Sequence, residues 1–193
     1  MKYSYLKFLF VIGTAFFSSC SEEEPGVPKP RGYMRIDFPE KEYIEFRGDC
    51  PYTFDFPSYA RIDHIGRDTV TWCNKNIEFV PFRGTMHLTY KRLQGNVARF
   101  IEECHNMAYD HSIKATAIER KQFVNDTAQV FGLLYDIQGN AASPLQFYIT
   151  DSTTHFIRGA LYFQAKPNYD SILPVLTYVR EDVERFIESL RWK

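Results

Sequence analysis

No apolar run in this sequence approaches the roughly 20 residues that a helix needs to cross a hydrocarbon core. The longest, residues 8–17, is interrupted by Gly13 and Thr14. An excess of one charge is missing too: 23 Lys and Arg stand against 24 Asp and Glu, which offers no basic footprint for nucleic acid. Tryptophan is scarce, at two residues against 13 tyrosines and 17 phenylalanines, a balance that suits half-buried strands. Spacings that carry chemistry are also lacking. There is no His-Glu-x-x-His metal helix, no Gly-x-Ser-x-Gly elbow and no phosphate-cradling glycine loop. His64, His87, His105, His111 and His155 are scattered, and the His105/His111 spacing does not bring both rings to one helix face. Cys50-Pro51 and Trp72-Cys73 supply too few close ligands for zinc. Ser143 precedes Pro144 and reads as turn chemistry rather than as a nucleophile. These absences predict a non-catalytic chain with no cofactor and no metal site.

What is present begins at the N-terminus. Lys2 and Lys7 precede the short apolar run, and Ser18-Ser19 precede Cys20. A charged start, a short apolar stretch and small residues before a cleavage point describe a secretory signal peptide over residues 1–19. Small residues directly before a cysteine look like the bacterial lipobox, with Phe17 where Leu is usual, so Cys20 is the candidate lipidation site and mature N-terminus. One acyl chain holds a protein to a membrane only marginally, whereas two or more hold it stably. A diacylglycerol thioether with an N-acyl chain therefore predicts a lipid-anchored partner of the membrane. Ser21 resembles lipoproteins sent to the outer rather than the inner membrane. The glutamates 22–24 resemble a surface-export signal or form a solvated tether, and the two readings stand equal. Residues 20–31 contain three prolines and a glycine, which favours an extended, semi-rigid tether.

Residues 32–193 are the size of one domain. Within them Cys104 falls on an apolar helical face and reads as a small buried hydrophobe. That leaves Cys50 and Cys73 as the candidate disulfide in an oxidising compartment, able to contribute roughly 3 kcal/mol.

Pattern then orders the elements. Residues 32–39 alternate and form either a first strand or an arm lying on the domain. Residues 52–56 and 77–80 are short strands, each stopped by a proline. Residues 82–91 alternate, with Phe82, Met86, Leu88 and Tyr90 facing one way. Asn96 caps a helix carrying Val97, Phe100, Ile101, Cys104, Met107 and Ala108 on one side. Strands at 121–124 and 129–138 flank the turn at Asn125-Asp126. Strands at 146–150 and 155–164 flank the hairpin tip 151–154. Residues 181–192 form a last helix, with Glu181 and Asp182 at its positive end. The fold class expected is α+β, a twisted and mainly antiparallel sheet packed against helices. Its element order is similar to PsbP and Mog1-like domains.

Residues 28–39, 139–147, 155–163 and 188–192, with the lipobox, resemble the gliding-motility-associated lipoprotein D (GldD) family of Bacteroidetes. The resemblance implies a cell-envelope lipoprotein needed for gliding and linked to type IX secretion. It also implies neither enzyme activity nor cofactor, and partners among other gliding or secretion envelope proteins. Only Cys20 carries over as a functional residue. The candidate docking surface is the loop 139–146 with the hairpin tip 150–155, represented by Asn140, Ser143, Gln146, Asp151 and His155, because exposed loops carry function more often than strands do. Two other classes compete. A small-ligand-binding module would show a polar pocket near Asn140, Ser143 and His155. A periplasmic chaperone for secreted adhesins would show an exposed apolar patch or an open edge strand.

Overall fold

Hairpins build most of the molecule. The computed structural model describes residues 35–65 and 72–193; the signal peptide, Cys20, the glutamates 22–24 and the tether lie outside the described residues. Seven strands form one antiparallel sheet in the order β3-β4-β5-β9-β8-β7-β6. They are β3 (Ala60–Ile65), β4 (Asn74–Phe79), β5 (Gly84–Arg92), β6 (Ala115–Asn125), β7 (Val130–Gly139), β8 (Leu145–Thr150) and β9 (His155–Phe163). A smaller sheet pairs β1 (Tyr43–Phe46) and the C-terminal β10 (Arg191–Trp192) with the two sides of β2 (Tyr52–Pro57). Helix α1 (Val97–Tyr109) links β5 to the far edge strand β6, and helix α2 (Tyr169–Ser189) precedes β10. No described helix is long and apolar enough to cross a membrane.

Strand alternation decides which helix covers which face. Met86 and Leu88 of β5, Leu134 of β7, Leu145, Phe147 and Ile149 of β8, and Ile157 and Leu161 of β9 share one face. On it sit Tyr52 and Phe54 of β2, with Leu176, Val179, Val183, Phe186 and Ile187 of α2. The opposite face carries Tyr135, Ile137 and Phe156, covered by Cys104 and Ala108 of α1. The Phe147 ring lies so close over Gly159 that a Cβ there would meet its Cζ at 2.1 Å, so this core layer requires a residue without a side chain.

The α+β architecture, a mainly antiparallel sheet packed against helices, holds. Several boundaries differ from the sequence reading. Residues 35–39 form no strand; they are an arm, and Phe38 stacks on Tyr178 with ring centroids 4.6 Å apart. Val80–Phe82 make a 3-10 turn ending at Arg83 with φ 48, so the strand starts at Gly84 rather than Phe82. Asn96 precedes α1 without capping it, because its Oδ1 accepts from the Gln94 amide instead. The last helix begins not at Glu181 but at Tyr169, where the Asn168 side chain accepts from the Ser171 amide. Pro174 lies in its second turn, where losing one backbone bond does not end the helix. Glu181 and Asp182 are therefore mid-helix residues, far from the positive end. The helix stops at Ser189, and Arg191-Trp192 are extended.

Candidate functional site

One end of the β5–β9 pair opens into a cleft of about 650 Å³, lined by Pro51, Trp72, Tyr90, Lys91, Arg92, Thr154 and His155. Three supports hold its first rim. Cys50 and Cys73 are joined as a disulfide with Cα atoms 5.5 Å apart, inside the range a bridge spans without backbone movement, and they carry Pro51 and Trp72 as chain neighbours. The buried Lys75 ammonium donates to the Trp72 carbonyl at 2.7 Å, and burial lowers its pKa. The Tyr52 hydroxyl donates to the Cys73 carbonyl at 2.6 Å.

The second rim is held as firmly. His155 Nδ1 lies 2.8 Å from the Tyr90 hydroxyl, and the Trp192 indole stacks on the imidazole at 5.0 Å with 14° between planes. Trp192 is fixed in turn by its Nε1–H donating to the Gln129 carbonyl at 2.9 Å and by pairing with Tyr52. Burial lowers the His155 pKa, and Arg92 adds to this against the opposing pull of Asp151. The ring is therefore neutral near pH 7. Asp151 Oδ1 accepts the amides of Thr153, Thr154 and His155 at 3.0, 2.8 and 2.7 Å. Burial alone would raise its pKa, but these donors outweigh burial and lower it.

The residues expected to form a docking surface do not come together. β8 stands between loop 139–144 and tip 151–154, and its six residues at ~3.3 Å each put about 20 Å between them. Ser143 is 0 % exposed, and its hydroxyl donates to the Leu161 carbonyl at 2.9 Å, which ties the loop onto β9. Gln146 is buried on the α1 face and accepts from Arg158 at 3.1 Å. Asn140 is exposed and its Oδ1 accepts the Tyr169 amide at 3.0 Å, fastening the start of α2. Asp151 shapes the tip, and only His155 lines the cleft. Asn140 and Ser143 stand at the opposite end of β8 from His155, because sequence proximity within a hairpin becomes distance along the strand. Cys104 is buried and free, and burial pushes its thiol up to about 11.

A second constellation lies on α2. Asp182, 1 % exposed, accepts from the Lys41 ammonium at 2.8 Å, from the Tyr43 hydroxyl at 2.8 Å and from the Tyr59 hydroxyl. Lys41 also donates to the Tyr178 carbonyl at 2.6 Å and sits 3.9 Å over the Tyr178 ring. The Tyr178 hydroxyl donates to the Pro39 carbonyl. The pKa values of Tyr43 and Tyr59 are raised, first by burial and then by hydrogen bonding to Asp182. The arm is thus held to α2 through Tyr178, and the residues that follow it, Lys41 and Tyr43, are clamped there by the buried Asp182 carboxylate with its three donors. The only sequence signal for it was an aspartate at helical spacing between Val179 and Phe186.

These features define a mixed α+β domain with a clamped arm and an open cleft. Among the described residues no group of three or more His, Cys, Asp or Glu could hold a metal ion. Residues 23–192 match the protein-family model described as gliding motility lipoprotein GldD. The chain belongs to that family and is a gliding-motility-associated lipoprotein, lipid-anchored in the cell envelope. No curated protein sequence matches the chain. Among solved structures it is similar to cyanobacterial PsbP (CyanoP) from Synechocystis sp. PCC 6803, at 8 % identity and a TM-score of 0.49, over 83 % of this chain and 98 % of that one.

Proposed function

We propose that this chain is a non-catalytic accessory component of the gliding machinery, linked through it to type IX secretion and docking onto other envelope proteins. Family membership supplies the setting. The observation that carries the reading is the clamp at Asp182. It fixes to the domain the arm that continues in sequence toward the tether and Cys20, so a pull on the anchor is transmitted to the domain core. In this reading residues 1–19 are removed, Cys20 carries the lipid, residues 20–31 are the tether, and the membrane is the outer one. The chaperone alternative needs an edge open to pairing. The edge strand β6 carries Glu119, Arg120 and Lys121, and such charges blunt edge pairing.

The test is Cys20→Ala in cells, with protein level, membrane fractionation and gliding measured together. The expected result is a released domain at normal level and no gliding. Gliding supported by the released domain would overturn the reading. Crosslinking of the tagged wild type should recover motility or secretion components, and recovery of only secreted cargo would favour the chaperone.

A further inference from the structure

We infer that the cleft beside the disulfide is a binding site for an acidic saccharide, a pyranose chain bearing carboxylate or phosphate groups. The inference is independent of the docking reading. It starts from an asymmetry of charge. Lys91 and Arg92 line the cleft, and among the described residues that line it there is no carboxylate. Among the described residues neither cation takes part in an ion pair. The nearby carboxylate of Asp151 is occupied by three backbone amides, so the cationic wall is available to an anion from outside.

The second observation is Trp72, a bulky apolar side chain left 43 % exposed at the rim although the disulfide, Lys75 and Tyr52 fix the backbone that carries it. A flat ring with a negative face suits the partly positive C–H groups along one face of a pyranose. Thr154, His155 and Tyr90 add groups able to donate and accept, as a ligand rich in hydroxyls requires. The volume lies within the usual range for binding sites. A peptide could not enter by strand addition, because β5 and β9 pair with each other up to Arg92 and His155 and leave no free backbone edge there. Both rims are held before any ligand arrives, which lowers the ordering cost of binding.

The test uses the full-length protein in detergent, titrated calorimetrically with fragments of hyaluronan, alginate and polygalacturonate, each beside its carboxyl-reduced counterpart, and with sugar phosphates. At least one acidic probe should bind, weaken with added salt, and bind about tenfold more tightly than its neutral or dephosphorylated form. Trp72→Ala should weaken that binding about tenfold, and Lys91→Ala with Arg92→Ala should remove the preference for acid, while His87→Ala, further along β5 and outside the cleft lining, changes neither. Circular dichroism confirms that each variant is folded. Absence of binding by every acidic probe at millimolar concentration would overturn the inference. So would equal affinity for the neutral forms, or tighter binding of oligoglutamate peptide than of any saccharide. Binding by inorganic phosphate alone, unaffected by Trp72→Ala, would reduce the site to a simple anion patch and also overturn it.

Discussion

The clamp on α2 and the cleft beside the disulfide both gather charged groups around aromatic rings, and they treat charge in opposite ways. At the clamp, one carboxylate is withdrawn from water and surrounded by Lys41, Tyr43 and Tyr59. At the cleft, Lys91 and Arg92 remain in solvent, while the aromatic Trp72 stays partly bare. A buried charge is tolerable only when its partners are complete, so the clamp is a finished structural unit. The cleft is built on equally fixed backbone, but among the described residues its cations have no ion-pair partner. The difference separates the part of the molecule that holds the arm from the part open to a ligand.

Breaking the clamp should have the largest effect. Asp182→Ala leaves the Tyr43 and Tyr59 hydroxyls without their acceptor and takes the buried counter-charge from Lys41, which keeps only the Tyr178 carbonyl and the exposed Glu181 carboxylate, and removing one partner of a buried pair costs about 3–5 kcal/mol. Urea denaturation should register that loss, and limited proteolysis should cut the arm near Lys41 first. A change under about 1 kcal/mol would show that water replaces the carboxylate and that the clamp is dispensable. The cleft end is next. Cys50→Ser with Cys73→Ser opens a bridge of sequence separation 23 and should cost roughly 3 kcal/mol. Here the arm should stay protected while tryptophan fluorescence shifts, since Trp72 adjoins Cys73. If both ends loosen together, the two regions are not independent.

How much of this was legible follows from the range of each signal. Strands in hairpins announce themselves locally, which is why β7, β8 and β9 and the tip at Asp151 fell where alternation placed them. Helix α1 was legible from Val97, Phe100, Cys104 and Ala108. The first three turns of α2 were not, because Pro174 reads as a breaker when its position inside the helix is unknown, and because Asn168 lies far upstream of the apolar stripe. The cleft draws Pro51, Trp72, Tyr90 and His155 from four separate elements, with Trp192 behind them from a fifth. No period or spacing in a single sequence joins them. Ser143 misled for a related reason: a polar residue in a connection looks exposed until its hydroxyl is seen buried against Leu161.

A smaller effect should come from the hairpin tip. Asp151→Ala removes the acceptor of three backbone amides at a partly open site, and a loss of about 1 kcal/mol is expected because water can replace part of the carboxylate's role. Asp151→Asn should recover some of it, since one amide oxygen can still accept. Thermal unfolding of the three proteins ranks them. Equal stability for all three would mean that the tip is held by its backbone pairing alone, and that Asp151 does not position His155.

The smallest and most selective perturbation is mild acid. Burial holds the His155 pKa below its ordinary value of 6.5, so the unfolded chain takes up this proton before the folded one does. Stability should therefore be constant above about pH 6.5, fall as pH drops from there toward the folded-state pKa, and level off below it. Protonated His155 faces Tyr90, Trp192, Arg92 and Asp151; Arg92 repels the new charge and Asp151 attracts it. The tryptophan signal of the cleft should change over this range in the wild type and stay flat in His155→Gln. Asp151 acts lower on the scale: its pKa is depressed, so its stabilisation is present above the usual carboxylate value of 3.8 and is lost as pH falls through the folded-state value. Two separate acid steps at the cleft, the first abolished by His155→Gln and the second by Asp151→Asn, would show that this end of the molecule answers to pH through these two side chains. A single step unmoved by either variant would place the acid sensitivity elsewhere.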